Sequence, residues 1–423
     1  MTYRPGEEGS RADEGTSIAV VYNGVCARKR GQYFHSDSFA ALLRDLGVEF
    51  NGVRYFGFYL DAGDVGLEHT GETPLTGANL ELQVMRGNTA RTGPWEFVRN
   101  YIVALWRLWP FLARSSRIVV FVPSFISVVA ALGAVALRKE IGLYIAGNWS
   151  EETQHRKLTL MQRIFYPVNR YAIDPVARWV ARRARFVVTP GYDTYYRLRG
   201  RVRRILLPAP LLRVTRDDVV ARLDTCLGDQ IVVLFVGALR VQKGVLDLLD
   251  AFASLRARVP EKRLVLKFVG SGEAESALRA RTALLGLQES VQMLGHVPNG
   301  PELFAQYRGA DVFALPTYSE GFPRTLYEAM TFGVPIVTTA VGGIPHLLQH
   351  QRHALVVQPG STSALEHGLF SVITDSVLRS RLIVEARRLM LDSVYPRIER
   401  GGSLAKQISR EFSGSPELAE FTG

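Results

Sequence analysis

Cysteine is scarce in this chain: its 423 residues include two, Cys26 and Cys226, one in each half. Secreted domains held together by disulfides carry many more, so this class is excluded, and a reducing compartment fits the composition. The opening residues, MTYRPGEEGSRADEGTS, also lack the apolar core of a secretory signal peptide. We expect residues 1–16 to form a disordered leader.

Long uncharged runs are rare, and the most prominent one extends from Ile118 to Leu137. Its length alone is compatible with a transmembrane helix. Pro123 and Ser124 divide it, however, into a β-rich part (Ile118 to Val122) and an Ala-rich part (Ile126 to Leu137). Because strands of parallel sheets are apolar on both faces, we predict a buried strand followed by a buried helix.

Several functional signatures are missing as well. No G-x-G-x-x-G follows the first predicted strand, Ile18 to Tyr22, which counts against a Rossmann oxidoreductase. The sequence has no compact His/Asp cluster of the kind that binds a metal, no solenoid-length repeat and no low-complexity tract. Its arginines are scattered without a recognisable reading module, which counts against a nucleic-acid-binding protein.

The features that are present describe a soluble protein of ordinary composition, 47% hydrophobic and 22% charged. Its length exceeds that of one typical core and predicts two domains. The net charge of +11 favours anionic partners, whether phosphate esters, acidic lipid headgroups or nucleic acid. The alternative is that the excess arginines are spread over the surface without a specific partner.

The first half shows one clear stretch of alternating helices and strands. Strand Ile18 to Tyr22 precedes a basic loop, Arg28 to Gly31, and a helix over Ser36 to Leu46. Further predicted elements are a helix over Tyr101 to Leu112, a strand over Ile118 to Val122, a helix over Ile126 to Glu140, and strands over Leu143 to Ala146, Arg182 to Arg185, Phe186 to Thr189 and Ile205 to Pro208. The Pro208-Ala-Pro210 tract marks the predicted domain boundary.

The second half alternates more regularly, which predicts a parallel, doubly wound sheet. The predicted strands are Ile231 to Val236, Leu264 to Val269, Val291 to Leu294, Asp311 to Pro316, Pro335 to Thr339 and Ala354 to Val357. The helices between them are Val245 to Leu255, Glu273 to Leu285, Pro301 to Arg308, one that begins near Pro323, and a short one near Pro345. A tail helix follows near Glu399 to Phe412.

Two acidic residues mark the strongest site candidate. Glu320 follows the strand that ends at Pro316, and Glu328 lies in the first two turns of the helix that ends before Gly333. Pro323 suits the first turn of that helix, where a missing N–H costs nothing. Both carboxylates can therefore face the crevice at the carboxyl end of a parallel sheet, where open α/β folds bind ligands.

Cations stand near the same predicted edge. In the segment Gly237 to Gly244, Arg240 and Lys243 lie between glycines just before a helix N-terminus, an arrangement that can cradle a diphosphate or can be a plain basic surface loop. Arg324 opposes its helix dipole at a cost of ~0.3–1 kcal/mol. An i,i+4 ion pair with Glu328 is worth about 0.2–0.5 kcal/mol and offsets that cost only in part, so we favour a bound anion.

The string P-T-x-S-E-G-F-P-x-x-x-x-E-A-M, followed by G-x-P and G-G-x-P, resembles the retaining nucleotide-sugar glycosyltransferases of family four. The resemblance extends from about Val232 to Pro359 and implies the GT-B architecture, two Rossmann-like domains facing across a cleft. On that basis we assign residues 17–210 to an N-terminal acceptor domain and 211–395 to a C-terminal donor domain. Residues 396–423 are then a helix returning to the first domain and a tail.

The resemblance implies a role for each residue of the motif. Lys243 and Arg240 would contact the donor diphosphate; the family pattern G-R-L-x-x-x-K-G has arginine where this chain has Ala238. Glu320 would lie near the sugar, and Glu328 would accept hydrogen bonds from the ribose hydroxyls. The family also places a turn like Gly270-Ser-Gly272 and main-chain groups near His296 at the donor, and the other residues implied in donor binding are Gly237, Gly321, Phe322, Pro323, Arg324 and Thr325.

The first domain matches the family less well. Family members often have a histidine after an N-domain strand, and here Leu143 to Ala146 leads into Gly147-Asn148 instead, so Asn148 is the candidate that contacts the sugar. Gly31 could face the donor phosphates. We interpret the nearby His35 and His155 as structural.

The segment Tyr101 to Arg117 mixes aromatic residues with arginines. Such a segment can lie on an anionic membrane, as a lipid-linked acceptor would require, or can be a buried helix with a basic end.

The resemblance implies an enzyme that transfers a sugar from a nucleoside diphosphate to a glycan, lipid-linked or small-molecule acceptor in polysaccharide or glycoconjugate biosynthesis, with retention of configuration. No cofactor or metal is expected, because the cations already supply positive charge. We expect a cytoplasmic protein, with peripheral contact on the inner face of the membrane as an open alternative. Because Ala238 and the absent histidine depart from the family pattern, a catalytically inactive protein that binds a nucleotide-sugar or glycan is the second interpretation.

Overall fold

The computed structural model describes residues 17–61, 73–77, 79–89, 92–122, 124–145, 174–210 and 212–413. The chain divides into two compact units. Unit 1 comprises residues 1–190, 195–208 and 401–423, and unit 2 comprises residues 191–194 and 209–400. Each unit is built around its own β-sheet.

Unit 1 holds a mixed sheet whose central strand is β1 (Ile18–Lys29). The first part of β1 pairs in parallel with both β3 and β6, and its last residues pair antiparallel with β2. The other strands are β2 (Gln32–His35), β3 (Val53–Asp61), β4 (Thr73–Pro74), β5 (Leu80–Arg86), β6 (Arg117–Val122), β7 (Glu140–Ile145), β8 (Phe186–Val188) and β9 (Ile205–Leu206).

The parallel part of this sheet has the order β5-β3-β1-β6-β7-β8-β9. The chain therefore starts in the middle, moves to one edge and then continues from the middle to the other edge, as in Rossmann-like sheets. The helices that cover it are α1 (Asp37–Glu49), α2 (Pro94–Ala113), α3 (Phe125–Ala136), α4 (Asp174–Arg183) and α5 (Tyr192–Leu198), the last of which begins in residues grouped with unit 2.

Unit 2 holds a sheet in which all six described strands are parallel. They are β10 (Gln230–Val236), β11 (Arg263–Val269), β12 (Val291–Met293), β13 (Val312–Leu315), β14 (Ile336–Thr339) and β15 (Leu355–Val357). Their order, β12-β11-β10-β13-β14-β15, is the doubly wound order of a dinucleotide-binding fold. The topological switch point lies between β10 and β13.

The helices of unit 2 alternate with its strands. They are α6 (Val245–Arg258), α7 (Glu275–Leu284), α8 (Pro301–Arg308), α9 (Arg324–Thr331), α10 (Ile344–Leu347), α11 (Thr362–Thr374), α12 (Ser376–Leu389) and α13 (Tyr395–Gly401). Short 3-10 helices cover Arg216–Asp218 and Val241–Lys243, and a π-helical segment, Met390–Val394, joins α12 to α13.

Burial explains why the strands form where they do. In β10 every residue from Ile231 to Val236 is buried, as expected of a strand with helices on both faces. The uncharged run of unit 1 behaves as predicted: β6 and most of α3 are buried, with Pro123 outside the described residues. No helix of the described residues is long and apolar enough to cross a membrane.

The C-terminal helix α14 (Leu404–Ser413) packs in unit 1. Phe412 contacts Phe50 and Phe186 at ring-centroid distances of 6.0 and 5.0 Å. Glu411 accepts a hydrogen bond from Arg204, with Nε and Oε1 2.7 Å apart. Helix α14 is thus part of the core of unit 1.

Three predicted elements of the first half were wrong. Arg28 and Lys29 are not in a loop but in β1, whose end pairs antiparallel with β2 while Arg28 also pairs with Asp61 of β3. Arg182 and Arg183 form the last turn of α4, where cations suit the helix dipole. Helix α3 ends at Ala136, because Arg138 adopts a left-handed conformation and Glu140 begins β7.

Candidate functional site

The loops that follow β10 and β13 form the centre of the site. After β10 the chain passes through Gly237, a 3-10 turn ending at Lys243, and Gly244, from which α6 starts. After β13 it passes through Thr317 to Glu320 and enters α9 at Arg324. Because the two strands are parallel neighbours at the switch point, their loops lie side by side at the carboxyl edge of the sheet.

Lys243 and Glu320 meet at this edge. The Lys243 Nζ and the Glu320 Oε1 are in ion-pair contact, and both side chains are largely buried, at 24% and 17% exposed. Burial, together with the nearby charge of Arg240, lowers the pKa of Lys243 from 10.5 to about 8. With a pKa of about 8, Lys243 is charged at neutral pH.

Thr317 ties the two loops together. Its hydroxyl lies 3.1 Å from the carbonyl oxygen of Gln242 and 3.3 Å from that of Ser319, and the side chain is fully buried. The amide of Tyr318 donates to the same Gln242 carbonyl at 2.8 Å. These bonds hold the 3-10 turn of Lys243 against the loop of Glu320.

Main-chain hydrogen bonds extend this arrangement along the sheet edge. On one side, Gly237 donates to Val269 at 3.0 Å and Gly270 donates to Gly295 at 2.7 Å. On the other side, the amide of Gly343 donates to the carbonyl of Gly321 at 2.7 Å. The loops after β10, β11, β12, β13 and β14 are thus one connected layer of backbone.

Glycine is required where these loops touch. A Cβ on Gly244 would collide with the carbonyl oxygen of Pro316, and one on Gly342 would collide with that of Glu320. Both residues also have positive φ angles, 67° and 51°.

Glu328 lies in α9, one helix turn after Arg324, and its residue is 8% exposed. Its Oε2 accepts a hydrogen bond from the hydroxyl of Tyr307 at 2.7 Å. Burial raises the pKa of Glu328 above its ordinary value, while the Tyr307 bond and the charges of Arg324 and Arg213 lower it in part. A buried carboxylate with one protein donor keeps capacity for donors on a ligand.

Arg324 is exposed at the first position of α9. The ion pair between Arg324 and Glu328 that we considered is not among those of the described residues, and Arg324 acts on Glu328 only through its charge. Pro323 is the N-cap, one residue before the predicted first turn. A free cation at a helix N-terminus remains compatible with a bound anion.

The other predicted donor-site residues lie along the same edge. Gly272 follows β11, where a Cβ would collide with the Leu239 carbonyl, and His296 is exposed after β12. Phe322 is half-buried against the ring of Tyr327 at 4.5 Å. The predicted residues of the second half that the structure brings to this edge are Gly237, Arg240, Lys243, Gly272, His296, Glu320, Gly321, Phe322, Pro323, Arg324, Thr325 and Glu328.

Two further predicted donor-site residues, Gly31 and Asn148, belong to the first half of the chain. Gly31 occupies the exposed turn between β1 and β2, with φ of 80°. Asn148 lies outside the described residues, as does His155. Their predicted roles stay predictions.

Sequence reasoning missed the residues that position the site. Tyr307, Thr317 and the pair formed by the Tyr318 hydroxyl and Asp247 were not singled out. Tyr307 lies in α8, 21 positions before Glu328, and no spacing rule connects them. Thr317 offered a signal: a hydroxyl directly after a buried strand. Among the described residues no group of three His, Cys, Asp or Glu side chains is arranged to hold a metal ion.

The loops of this edge lie within a segment that is similar in sequence to known proteins. Residues 226–389 match the family model described as glycosyl transferases group 1. An uncharacterized glycosyltransferase of Methanocaldococcus jannaschii is 31% identical over 160 residues, covering 38% of this chain and 40% of that protein. A D-inositol 3-phosphate glycosyltransferase of Pseudarthrobacter chlorophenolicus is 39% identical over 126 residues, covering 29% and 30%. The chain thus spans two fifths or less of the length of these two relatives.

The whole chain is similar in structure to HepE of Anabaena, solved in complex with UDP. The TM-score is 0.60 with 17% sequence identity, and the similarity covers 95% of this chain and 100% of that one. At this identity the likeness concerns the fold, which is GT-B, as predicted. The resemblance found in the motif from Val232 to Pro359 is likewise confirmed, because residues 226–389 match the model of the glycosyl transferases group 1 family.

Proposed function

We propose that this protein is a retaining glycosyltransferase that moves a sugar from a nucleoside diphosphate to an acceptor. The observation that carries the proposal is the contact between Lys243 and Glu320 at the switch point of a group 1 domain. A cation and a carboxylate, both largely buried, are held there by loops that the fold uses for ligands. The UDP bound to HepE makes UDP the first nucleotide to test.

The cations serve the leaving group. As the glycosidic bond breaks, negative charge grows on the diphosphate, and Lys243, Arg240 and Arg324 would stabilise it without reorganisation. The N-termini of α6 and α9 add main-chain N–H groups and the positive ends of two helix dipoles. Because these groups provide the positive charge, we propose that no metal or other cofactor is needed. Full activity in the presence of EDTA is the expected result.

The carboxylates serve the sugar and the nucleoside. Glu320 would hold sugar hydroxyls and stabilise the oxocarbenium character of the transition state. Glu328 would accept hydrogen bonds from the ribose hydroxyls, which are stronger when the acceptor is ionised. Bound phosphate would then replace Glu320 as the partner of Lys243.

The remaining predicted residues complete the donor site. Gly237 and Gly272 would allow the backbone to approach the ligand, and the loop of His296 would meet the base through main-chain groups. Gly321, Phe322, Pro323 and Thr325 would line the donor, and the roles of Gly31 and Asn148 are those that the family resemblance implies. We propose a glycan, lipid-linked or small-molecule acceptor of polysaccharide or glycoconjugate biosynthesis, and a cytoplasmic location, which the free, buried thiols of Cys26 and Cys226 support.

Substitution of the central pair tests the proposal. Wild type is screened for transfer and for thermal stabilisation with UDP-, GDP-, ADP- and TDP-sugars, where a ligand at a hundredfold its Kd adds about 2.7 kcal/mol. With the active donor, Lys243→Met and Glu320→Gln should each lose at least ~100-fold in kcat/KM, about 2.7 kcal/mol of transition-state stabilisation. Full activity in either variant would contradict the assigned role.

Matched controls exist in the same unit. Lys262→Met removes a lysine that precedes β11 at the opposite edge of the sheet, and Glu302→Gln removes an exposed carboxylate in the first turn of α8. Both should transfer sugar at the wild-type rate. The anomeric configuration of the product, read by NMR, tests retention. Donor stabilisation of wild type without transfer to any acceptor would identify the inactive binding protein instead.

A further inference from the structure

Helix α2 of unit 1 carries an exposed apolar stripe. Trp95, Ile102, Trp106 and Trp109 are 87%, 60%, 77% and 53% exposed. Their separations of seven, four and three residues place them on one face of the helix. The opposite face, with Ala104, Leu108, Phe111 and Leu112, is buried in the core of unit 1. The helix thus has two apolar faces, and within the described part of the chain only one of them is buried.

The exposed stripe continues onto the neighbouring helix α3. The ring of Tyr101 lies 6.1 Å from that of Phe125, which is 45% exposed, and Leu132 is 37% exposed. Gly133 of α3 packs against Trp109. Contiguous exposed apolar surface of this kind marks a site of interaction rather than a feature of the core.

The charges beside the stripe are positive. Arg99 and Arg107 of α2, and Arg114 at its C-cap, fall on the same flank at 100° per residue. Glu96 is the single acidic residue between Pro94 and Arg114, and it pairs with Arg99 at 3.5 Å. The flank therefore keeps a net positive charge and fits an anionic partner.

We propose that α2 docks this protein on an anionic lipid surface, with its axis in the plane of the membrane. Tryptophan favours the boundary between hydrocarbon and water, and arginine stems lie along apolar surface while their charged ends reach headgroups. The stripe from Trp95 to Trp109 is about 21 Å long, which suits an extended lipid surface. Energetic anchors of protein interfaces instead cluster in pockets. This inference rests on the proposed function and deepens it, because a protein docked on a membrane would use a lipid-linked acceptor.

Vesicle flotation of the full chain tests this inference. Wild type should float with vesicles of phosphatidylcholine and phosphatidylglycerol but not with phosphatidylcholine alone. Trp95→Ser with Trp106→Ser should lower the partition coefficient at least tenfold. Arg99→Gln with Arg107→Gln should lower it by about fivefold per arginine at low salt, and less at high salt.

Leu227→Ser with Leu284→Ser is the matched control, because these side chains of unit 2 are 77% and 75% exposed. This variant should float like wild type. Absence of flotation, or flotation that the tryptophan variant retains, would overturn the inference. A self-associated protein that the tryptophan substitutions make monomeric, without vesicle binding, would overturn it in favour of a protein interface.

The test is separable from that of the proposed function. Flotation needs neither donor nor acceptor, and the tryptophan variant should keep the thermal stabilisation by the nucleoside diphosphate that wild type shows. Vesicle binding with no response to any nucleotide would leave the docking surface standing while the enzymatic proposal fails.

Discussion

Lys243 loses its positive charge as the pH rises through about 8. Because burial and Arg240 lower its pKa from 10.5 to about 8, it loses its proton well before an exposed lysine does. We predict that affinity for a nucleoside diphosphate falls as the pH rises through 8, approaching tenfold per pH unit, because only the ammonium attracts the phosphates. Calorimetric titrations between about pH 6 and 10 measure this. Lys243→Arg should flatten the profile, and a flat profile in wild type would refute the assignment.

Tyr307 positions Glu328 through a single hydrogen bond. Tyr307→Phe removes the donor, so the pKa of Glu328 should rise further and its carboxylate should lose orientation. We predict that the KM for the sugar donor rises about 5- to 30-fold, because the charge-assisted bond contributes about 1–2 kcal/mol. The discriminating measurement compares nucleotides with and without ribose hydroxyls. The variant should lose affinity for the ribonucleotide only; equal losses would indicate a purely structural role for Tyr307.

Single residues of the site could be predicted from the sequence where they belong to a short motif of neighbouring residues. Lys243 and Glu320 were recognisable because each stands in a motif beside glycines. Tyr307 was not, because its partner is set by the packing of α8 against α9 rather than by spacing. Buried aromatic hydroxyls of this kind require coordinates.

At the scale of secondary-structure elements, the loops at the carboxyl edge of the second sheet hold one another in place through close backbone contacts. Gly343 has an ordinary φ of −79°, yet a Cβ there would collide with the carbonyl oxygen of Gly321. We predict that Gly343→Ala displaces the loop of Glu320, lowers transfer at least tenfold and destabilises the protein by about 1–3 kcal/mol. Kinetics and thermal unfolding measure the two effects.

Gly309→Ala is the control for this prediction. Gly309 also has an ordinary φ, −85°, and a Cβ there would approach nothing closer than 3.4 Å, the carbonyl oxygen of Ala305. Activity and stability should be close to wild type. If the two alanine variants behave alike, the loop contact does not control the site.

The second sheet was predictable because each strand is a continuous apolar run between helices. Strands β3 and β5 of unit 1 were missed for the opposite reason: Arg54, Glu81 and Gln83 interrupt their apolar residues. The extended β1 was missed because its last two residues, Arg28 and Lys29, are polar and are held in the strand by pairing with β2 and β3. Tertiary pairing overrides local pattern in such strands.

In the molecule as a whole, the C-terminal helix belongs to the core of unit 1 although unit 2 precedes it in sequence. Phe412 is 3% exposed between Phe50 and Phe186. We predict that Phe412→Ala destabilises unit 1 by about 3–5 kcal/mol, through lost transfer energy and a cavity. Hydrogen exchange should accelerate in β1, β6 and β8 while β10 to β14 are unaffected.

Lys406→Ala in the same helix serves as the control, since Lys406 is exposed. Its exchange rates should match those of wild type. Accelerated exchange in the strands of unit 2 after Phe412→Ala would contradict the assignment of α14 to the first unit.

The connected backbone layer has a practical consequence for protein engineers who wish to alter nucleotide preference. Randomising one of its glycines would disturb several neighbours at once, so most library members would be lost to misfolding rather than sampled for selectivity. The loop after β12 offers a better target, because Leu294 and His296 are exposed side chains on an otherwise fixed main chain. Variation at those two positions changes the chemistry offered to an incoming base and leaves the scaffold beneath it intact.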